Sequence, residues 1–323
     1  MKILLTGGAG YIGSHTALSL IDSGHSVTII DNLITGTKKL LPPQAEYHEC
    51  DMADKKSIEN ILKKNKFDII MHFAGLTRVD ESVKYPEKYE LNNFEKSKTF
   101  FNCCFDNNIK KIIFSSTAGV YGDSTSEYVK ETDALIPMNP YAESKLKIEK
   151  FLIENSKSQK LNYTILRYFN VAGADNKKRS GLISRSSTNL IKILCEVATK
   201  KRDKIIINGN DYKTKDGTPI RDFIHVSDIA DLHTVAANSL FKNPMSDIYN
   251  CGYGHGYSVK EVISEMENII KDKLKIEIGP RREKDIIVSI ANSDKFKKQF
   301  NWKPKFNNLN YILKTALEWE KIN

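Results

Sequence analysis

The sequence predicts an α/β protein: a Rossmann-type doubly wound parallel sheet with a smaller mixed α/β substrate domain. Three observations predict it. Strand, glycine turn, helix, strand and acid follow one another within the first 31 residues. Short apolar runs then alternate with amphipathic stretches, the rhythm of a parallel sheet with helical crossovers. Beyond Gly173 that rhythm breaks, and a chain of 323 residues exceeds the usual span of one compact domain.

Lys2-Ile-Leu-Leu-Thr6 is an apolar run of strand length, broken by Gly7-Gly-Ala-Gly-Tyr-Ile-Gly13. Ile12, Ala17, Leu18 and Ile21 fall near helical spacing over 12–23, and Ser26-Val-Thr-Ile-Ile30 is a second strand ending on Asp31. This is the dinucleotide-binding fingerprint, readable as Gly8-x-Gly10-x-x-Gly13 or Gly7-x-x-Gly10-x-x-Gly13. One glycine makes the tight turn, one admits the pyrophosphate, and one lets helix and strand pack closely. The pyrophosphate would meet the amides of the first helical turn, where the helix dipole favours negative charge. Candidate contacts are therefore Gly7, Gly10, Tyr11, Ile12 and Gly13, with Asp31 and Asn32 on the adenosine ribose. A carboxylate at Asp31 repels the 2′-phosphate of NADP, so NAD is the expected cofactor, with Lys38 and Lys39 a mild counterweight.

The segment 32–45 is a polar loop, and a short strand at 46–50 leads to Asp51 and Met52, an adenine-side contact. A helix is expected over 55–65, then the strand Phe67–Phe73 giving way to Ala74 and Gly75. Pro86 opens a helix running to about Asn107, before the strand Lys111–Ser115. A helix from Pro140 to about Ser158 precedes the strand Asn162–Tyr168. After the polar, basic connection 174–188, helices are expected near 189–200, 227–241, 258–271 and 309–321, with the chain returning to the sheet near 222–250.

Composition narrows the function. No apolar run approaches the about eighteen residues of a membrane span, and Ile3-Leu-Leu5 is too short for a signal h-region, so the expected address is cytoplasmic. The 5 cysteines, Cys50, Cys103, Cys104, Cys195 and Cys251, form no C-x-x-C pair, which reads as reduced thiols and no metal site. The net charge of +9 is spread over lysine clusters at 55–66, 110–111, 200–204 and 295–298 with no interleaved stacking aromatics. Solvated faces are expected rather than a nucleic-acid surface, with a smaller part helping to draw in a pyrophosphate ligand.

In an open parallel sheet, ligands lie outside the carboxyl ends of the strands. Strand 111–115 ends in Ser115-Ser-Thr117, and Tyr141-Ala-Glu-Ser-Lys145 places a tyrosine and a lysine on one helix face. Free tyrosine, with a pKa of about 10, is too weakly acidic to be a base at neutral pH. A neighbouring lysine and the positive nicotinamide should favour the phenolate, and Thr117 can bridge phenol and substrate oxygen. Thr117, Tyr141 and Lys145 are the candidate catalytic residues, with Ser115, Tyr141 and Lys145 also touching the cofactor.

These motifs, with Asp31-Asn-Leu33, His72-Phe-Ala-Gly-Leu76, Val120-Tyr-Gly122 and Arg167-Tyr-Phe-Asn170, resemble the UDP-glucose 4-epimerase family of the extended short-chain dehydrogenase/reductase superfamily. The likeness continues through Gly209-Asn-Asp-Tyr212, Asp216-Gly-Thr218, Arg221-Asp-Phe-Ile-His-Val226 and Arg281-Arg-Glu-Lys-Asp285. It implies a tightly held NAD, a UDP-sugar substrate and a homodimer. It implies an NAD-binding domain at 1–173 with the return near 222–250, and a nucleotide-sugar domain at 174–221 and 251–323. Phe73, Asn92 and Tyr168 become cofactor contacts. Asn170, Asn189, Leu190, Arg221, Arg282 and Asp285 become substrate contacts, with Ser289 where a size gate for the sugar C2 substituent would stand. A small residue there implies room for an N-acetyl group.

This chain departs from the family pattern at three places. Thr77 stands where many members carry a lysine that reaches the cofactor, with Arg78 next to it; the segment Lys177–Thr188 is unlike the better-known members; and Asn208 sits where an aromatic often packs. Rival readings also remain. A 4,6-dehydratase needs an acid pair directly after the threonine, where Ala118-Gly-Val120 stands here. Fold alone separates neither a decarboxylase nor a reductase from an epimerase. A non-catalytic NAD-binding regulator has no need of Thr117, Tyr141 and Lys145 together.

Overall fold

The computed structural model describes residues 1–124, 126–184, 187–282 and 285–323. Glu283 and Lys284 of the Arg281–Asp285 motif, and Arg185 and Ser186 of the 177–188 segment, lie outside the described residues. The chain forms two compact units. The first comprises Met1–Val120, Pro137–Arg167 and Ala230–Tyr249, and the second Tyr121–Ile136, Tyr168–Ile229 and Asn250–Asn323. Residues 121–136 and 168–173 thus group with the second unit, where the sequence reading left them with the first.

The first six strands are β1 (Lys2–Thr6), β2 (Ser26–Asp31), β3 (Glu46–Glu49), β4 (Ile69–His72), β5 (Lys111–Thr117) and β6 (Asn162–Tyr168). Then come β7 (Asn170–Ala172), β8 (Ile205–Asn208), β9 (Ile220–His225), β10 (Asp247–Cys251), β11 (Gly256–Ser258), β12 (Ile276–Gly279) and β13 (Val288–Ser289). The main sheet has 7 strands in the order β10-β6-β5-β4-β1-β2-β3, so the chain does return to it, through β10. The order reverses beside β1, and β1 pairs in parallel with both β2 and β4, as a doubly wound sheet requires. Leu4, Ile70 and Ile112 stand in one row across β1, β4 and β5, each fully buried. Covered on both faces, these strands need no alternation, which is why they read as unbroken apolar runs.

The helices of the first unit begin with α1 (Tyr11–Asp22), α2 (Lys55–Lys64), α3 (Val79–Lys84), α4 (Pro86–Tyr89), α5 (Lys96–Asp106) and α6 (Pro140–Ser158). Helix α2 buries Ile58, Ile61 and Leu62, one stripe at three- and four-residue spacing, and starts at Asp54, which accepts from the Ser57 amide. Helix α6 has Pro140 in its first turn and is capped by Asn139, whose Oδ1 accepts from Ala142 N at 2.9 Å. Ile148 and Leu152 of its inner face join Phe100, Phe101, Phe114 and Ile165 in the core. The single helix expected from Pro86 to Asn107 is instead α4, a wide π turn over Glu90–Glu95, and α5. Within that turn Asn93 is buried and reaches back to the segment after β4. Helix α3 escaped the periodicity argument because six residues make too few turns to show a period.

The later helices are α7 (Leu190–Ala198), α8 (Val226–Lys242), α9 (Val259–Ile270), α10 (Asp294–Phe300) and α11 (Leu309–Ile322), α10 being the one not expected. Helix α9 opens on a full capping box between Ser258 and Glu261. In the second unit β9 is the hub: β11 runs antiparallel to it, while β7 and β13 run parallel.

Candidate active site

Each glycine of the first turn has a measurable reason to be glycine. A Cβ on Gly7, whose φ is +74°, would lie 2.6 Å from Ala74 N. One on Gly13 would lie 2.3 Å from the Gly7 carbonyl oxygen, and one on Gly8 2.6 Å from Ile29. Gly7 therefore makes the turn, while Gly8 and Gly13 let strand and helix close on each other. Gly10 is the least crowded: the one atom near its Cβ position is Gly7 O at 3.2 Å, a tight contact that a small shift would relieve. Gly10 is also the N-cap of α1, and it offers no side chain to the amides of that first turn, which includes Tyr11, Ile12 and Gly13. A glycine at a helix N-terminus with no side-chain cap fits a bound pyrophosphate.

Asp31 ends β2 with its carboxylate buried. Ala9 N donates to its Oδ2 at 3.0 Å and Leu33 N to its Oδ1 at 2.8 Å. Burial raises its pKa, and those two amides only partly offset the effect. Lys38 pairs with Glu49 at 2.7 Å, both side chains more than half exposed. Asp51 receives Lys96 Nζ at 2.6 Å, Ala53 N at 2.9 Å and Asn32 Nδ2 at 3.1 Å. Burial works against its charge, yet Lys96 and the two other donors prevail, and its pKa is lowered. Asn32, Asp51 and buried Met52 thus form one connected group, with Lys96 a member that sequence reasoning missed.

At the end of β4, His72 is fully buried between Thr6 Oγ1 at 2.7 Å and Ser97 Oγ at 2.9 Å, and burial holds its pKa well below the ordinary value. Phe73 packs on the His233 ring with centroids 4.8 Å apart, and Ala74 N reaches Thr6 Oγ1 at 3.5 Å. Beyond Gly75, Leu76 is held at both backbone atoms by Asn93: Leu76 N donates to Oδ1 at 2.8 Å, and Asn93 Nδ2 donates to Leu76 O at 2.9 Å. Asn93 Nδ2 also reaches Ser144 Oγ of α6 at 3.2 Å. Its neighbour Asn92, the expected cofactor contact, is half-buried and donates to Asn93 Oδ1. The Arg78 guanidinium pairs with Asp80 at 2.6 Å, and Thr77 is exposed.

The candidate catalytic group gathers where β5 meets α6. Lys145 is buried, donates from Nζ to Ser115 O at 2.9 Å and lies 5.0 Å from the centre of the Phe114 ring. Burial pulls its pKa down to about 8, against the pull of the Glu149 charge. Tyr141 is hydrogen-bonded to Thr117, whose Oγ1 also accepts from Gly119 N at 3.1 Å. The phenol is half-exposed at its surface but hemmed in by protein, with Tyr89 meeting it edge-on at 6.5 Å. Burial pushes its pKa up to about 12 despite the Thr117 bond. Burial thus holds the phenol protonated, whereas the expected lowering joins Lys145 to the positive charge of a bound nicotinamide.

The second unit carries its own polar cluster. Arg221 Nη2 donates to Asp285 Oδ1 at 2.9 Å and Arg221 Nη1 to Ile220 O at 2.9 Å. Tyr212 OH donates to Asp285 Oδ2 at 2.8 Å, and Arg281 lies over the Tyr212 ring at 4.0 Å. Ser289 stands in register with Arg221 on the neighbouring strand β13. Asn208, with its amide turned so that oxygen faces the guanidinium, accepts from Arg282 Nε and Nη2, each at 3.3 Å. Asn189 caps α7 by accepting from Lys192 N at 3.2 Å, Leu190 is the first residue of that helix, and Asn170 pairs with Phe223 across β7 and β9. Tyr168 is buried at the end of β6. Tyr212 is the residue that sequence reasoning left without a role; its motif was quoted, but its reach to Asp285 shows only in space.

Among the described residues no helix is long and apolar enough to cross a membrane, and no cluster of three metal-ligating side chains occurs. A family model described as the NAD dependent epimerase/dehydratase family matches residues 3–252. The UDP-glucose 4-epimerase of Azospirillum brasilense is 40% identical over 320 residues, 99% of this chain and 92% of its own. A crystal structure of UDP-glucose 4-epimerase from Bifidobacterium longum in complex with NAD+ and UDP superposes with a TM-score of 0.95 at 32% identity, covering 100% of this chain and 99% of that one. The UDP-Glc/GlcNAc 4-epimerase of Campylobacter jejuni superposes with a TM-score of 0.86 at 42% identity, again covering 100% and 99%.

Proposed function

The chain belongs to the NAD dependent epimerase/dehydratase family, and from that premise we infer an NAD-dependent epimerase that inverts C4 of a UDP-hexose, interconverting UDP-galactose and UDP-glucose. One observation carries the reading beyond fold: Tyr141 bonded to Thr117, with Lys145 anchored on Ser115 one turn along the same helix.

The chemistry that bound NAD supplies is reversible acceptance of hydride from C4. Tyr141 takes the proton of the 4-hydroxyl as the C4–H bond breaks, leaving a ketone at C4. It returns that proton when hydride is added back to the other face, after the sugar has turned about its pyrophosphate. No proton or electron is consumed over the cycle. Thr117 shares a hydrogen bond between the phenol and the sugar oxygen, and cationic Lys145 lowers the cost of the phenolate while holding the nicotinamide ribose. Gly7, Gly10 and Gly13 with the first turn of α1 cradle the pyrophosphate of NAD, and Asp31 accepts from the adenosine ribose. Phe73, Ala74, Gly75, Asn92 and Tyr168 complete the cofactor contacts. Asn170, Asn189, Leu190, Arg221, Arg282 and Asp285 hold the UDP moiety.

We extend the reading to N-acetylated UDP-hexoses. Ser289 is small and stands in register with Arg221, and the Campylobacter jejuni protein at 42% identity is described as acting on both sugar types. A homodimer in the cytoplasm belongs to the same reading, to be tested by light scattering and by cell fractionation. The deciding experiment is an assay of UDP-galactose with no added reductant. Formation of UDP-glucose without net NADH consumption is expected; stoichiometric NADH consumption, or no conversion, overturns the reading.

A further inference from the structure

The end of β5 is gripped by α6 in a way that uses three consecutive strand residues and three helix residues spaced by four. Thr117 bonds Tyr141, Ser115 O receives Lys145 Nζ at 2.9 Å, and Ser116 Oγ donates to Glu149 Oε1. The first two contacts belong to the reaction. The third has no role in it so far, yet it is the most elaborately built. Glu149 is 1% exposed, and on its other side Arg167 of β6, also 1% exposed, donates from Nε to Oε1 at 3.0 Å and from Nη2 to Oε2 at 2.6 Å.

Such a pair is expensive. A buried Arg–Glu pair is often no more stabilising than apolar residues of the same volume, so stability alone is a weak reason to build one. Its placement offers a better reason. Glu149 lies one helical turn beyond Lys145 on the same face, and the packing that excludes water from both leaves their interaction unscreened.

We propose that Glu149 is a positioning residue for the reaction: held by Ser116 and Arg167, its carboxylate keeps Lys145 cationic and seated on Ser115, one turn away from Tyr141. This rests on the epimerase reading of Tyr141 and Lys145.

The groups that face Lys145 can be named element by element. From α6 come Tyr141, one turn back, and Glu149, one turn on, with Arg167 of β6 bound to Glu149. From β4 comes His72, which burial and the Lys145 charge together keep neutral. From β5 come the Phe114 ring and the Ser115 carbonyl, neither of them ionisable. Glu149 is therefore the one anion among these neighbours that raises the Lys145 pKa, against burial.

Two variants and two readouts test the proposal. Glu149→Gln removes the charge but leaves Arg167 buried without its anion. Glu149→Gln with Arg167→Gln removes both charges and keeps the fold testable. The first readout is the pH dependence of turnover with UDP-galactose. The second needs no turnover: the rate at which Lys145 is acetylated by trace acetic anhydride at each pH, read by mass spectrometry of its peptide. In the double variant the Lys145 labelling midpoint should fall by about one pH unit, and the alkaline limb of turnover should fall with it. A folded double variant that keeps the wild-type labelling midpoint overturns the proposal, whatever its activity. A wild type inactive on UDP-galactose, with the labelling midpoint still lower in the double variant, would instead overturn the epimerase reading and leave the coupling of Glu149 to Lys145 standing.

Discussion

Tyr141 differs from phenylalanine by one oxygen, and only that oxygen can take the proton of the sugar 4-hydroxyl. Tyr141→Phe should therefore lower kcat by about 10²–10⁴-fold while NAD binding, read by fluorescence titration, stays near wild type. Substantial turnover at neutral pH would remove Tyr141 from the role of base. At Asp31 the loss is in discrimination. Asp31→Ala takes an acceptor from a buried ribose, at a cost of about 1–3 kcal/mol, and lifts the repulsion of a 2′-phosphate. The ratio of NADP to NAD affinity should rise; an unchanged ratio would show that the carboxylate serves only Ala9 N and Leu33 N. Ser289→Tyr fills space beside Arg221, and overfilling costs about 1–3 kcal/mol. It should suppress turnover of UDP-N-acetylglucosamine and spare UDP-galactose. The idea sinks if the wild type ignores the N-acetyl sugar.

Among the elements, the glycine turn separates packing from ligand approach. Gly13→Ala puts a methyl group 2.3 Å from a backbone oxygen that cannot rotate away, so both the melting temperature and NAD affinity should drop. Gly10→Ala meets Gly7 O at 3.2 Å, a milder crowding, and should lose less stability than Gly13→Ala yet bind NAD weakly. Equal losses of stability in the two variants would mean that Gly10 too is a packing residue. This turn was legible in the sequence because its requirements are local: strand, glycine spacing and acid all lie within 31 residues. Tyr141 and Lys145 were legible for the same reason, four apart on one helix. Asn93 was not, because its hold on Leu76 depends on the π turn over Glu90–Glu95, which no local pattern announces. Glu149 with Arg167 was not, because the pair joins a helix to a strand across 18 positions and no local pattern encodes that match. The grouping of 121–136 with the second unit rests on contacts such as the bridge from Val129 to Ala291, which leave no periodicity to read.

For the molecule as a whole, His72 ties stability to pH. Its folded-state pKa lies well below the ordinary value of 6.5, so the unfolded chain binds a proton that the folded one refuses. The stability it supports is complete above pH 6.5 and declines as pH falls, by about 1.4 kcal/mol per pH unit from this group. His72→Gln keeps a polar side chain between Thr6 and Ser97 but cannot titrate. Its denaturant midpoint should fall less steeply than that of the wild type between pH 6.5 and 5. Parallel curves would show that His72 exchanges no proton on unfolding.

The strand order has a consequence for synthesis. Strand β10 covers the outer edge of β6, yet 78 residues, 169–246, separate the two in the chain. While a ribosome is still translating that interval, β6 has no outer neighbour, and its unpaired amides and carbonyls can recruit another nascent chain. A polypeptide ending at residue 246 should therefore aggregate in a cell-free translation system, while one extended through residue 251 should stay in the supernatant longer. Equal sedimentation of the two products would show that the edge is shielded before β10 arrives.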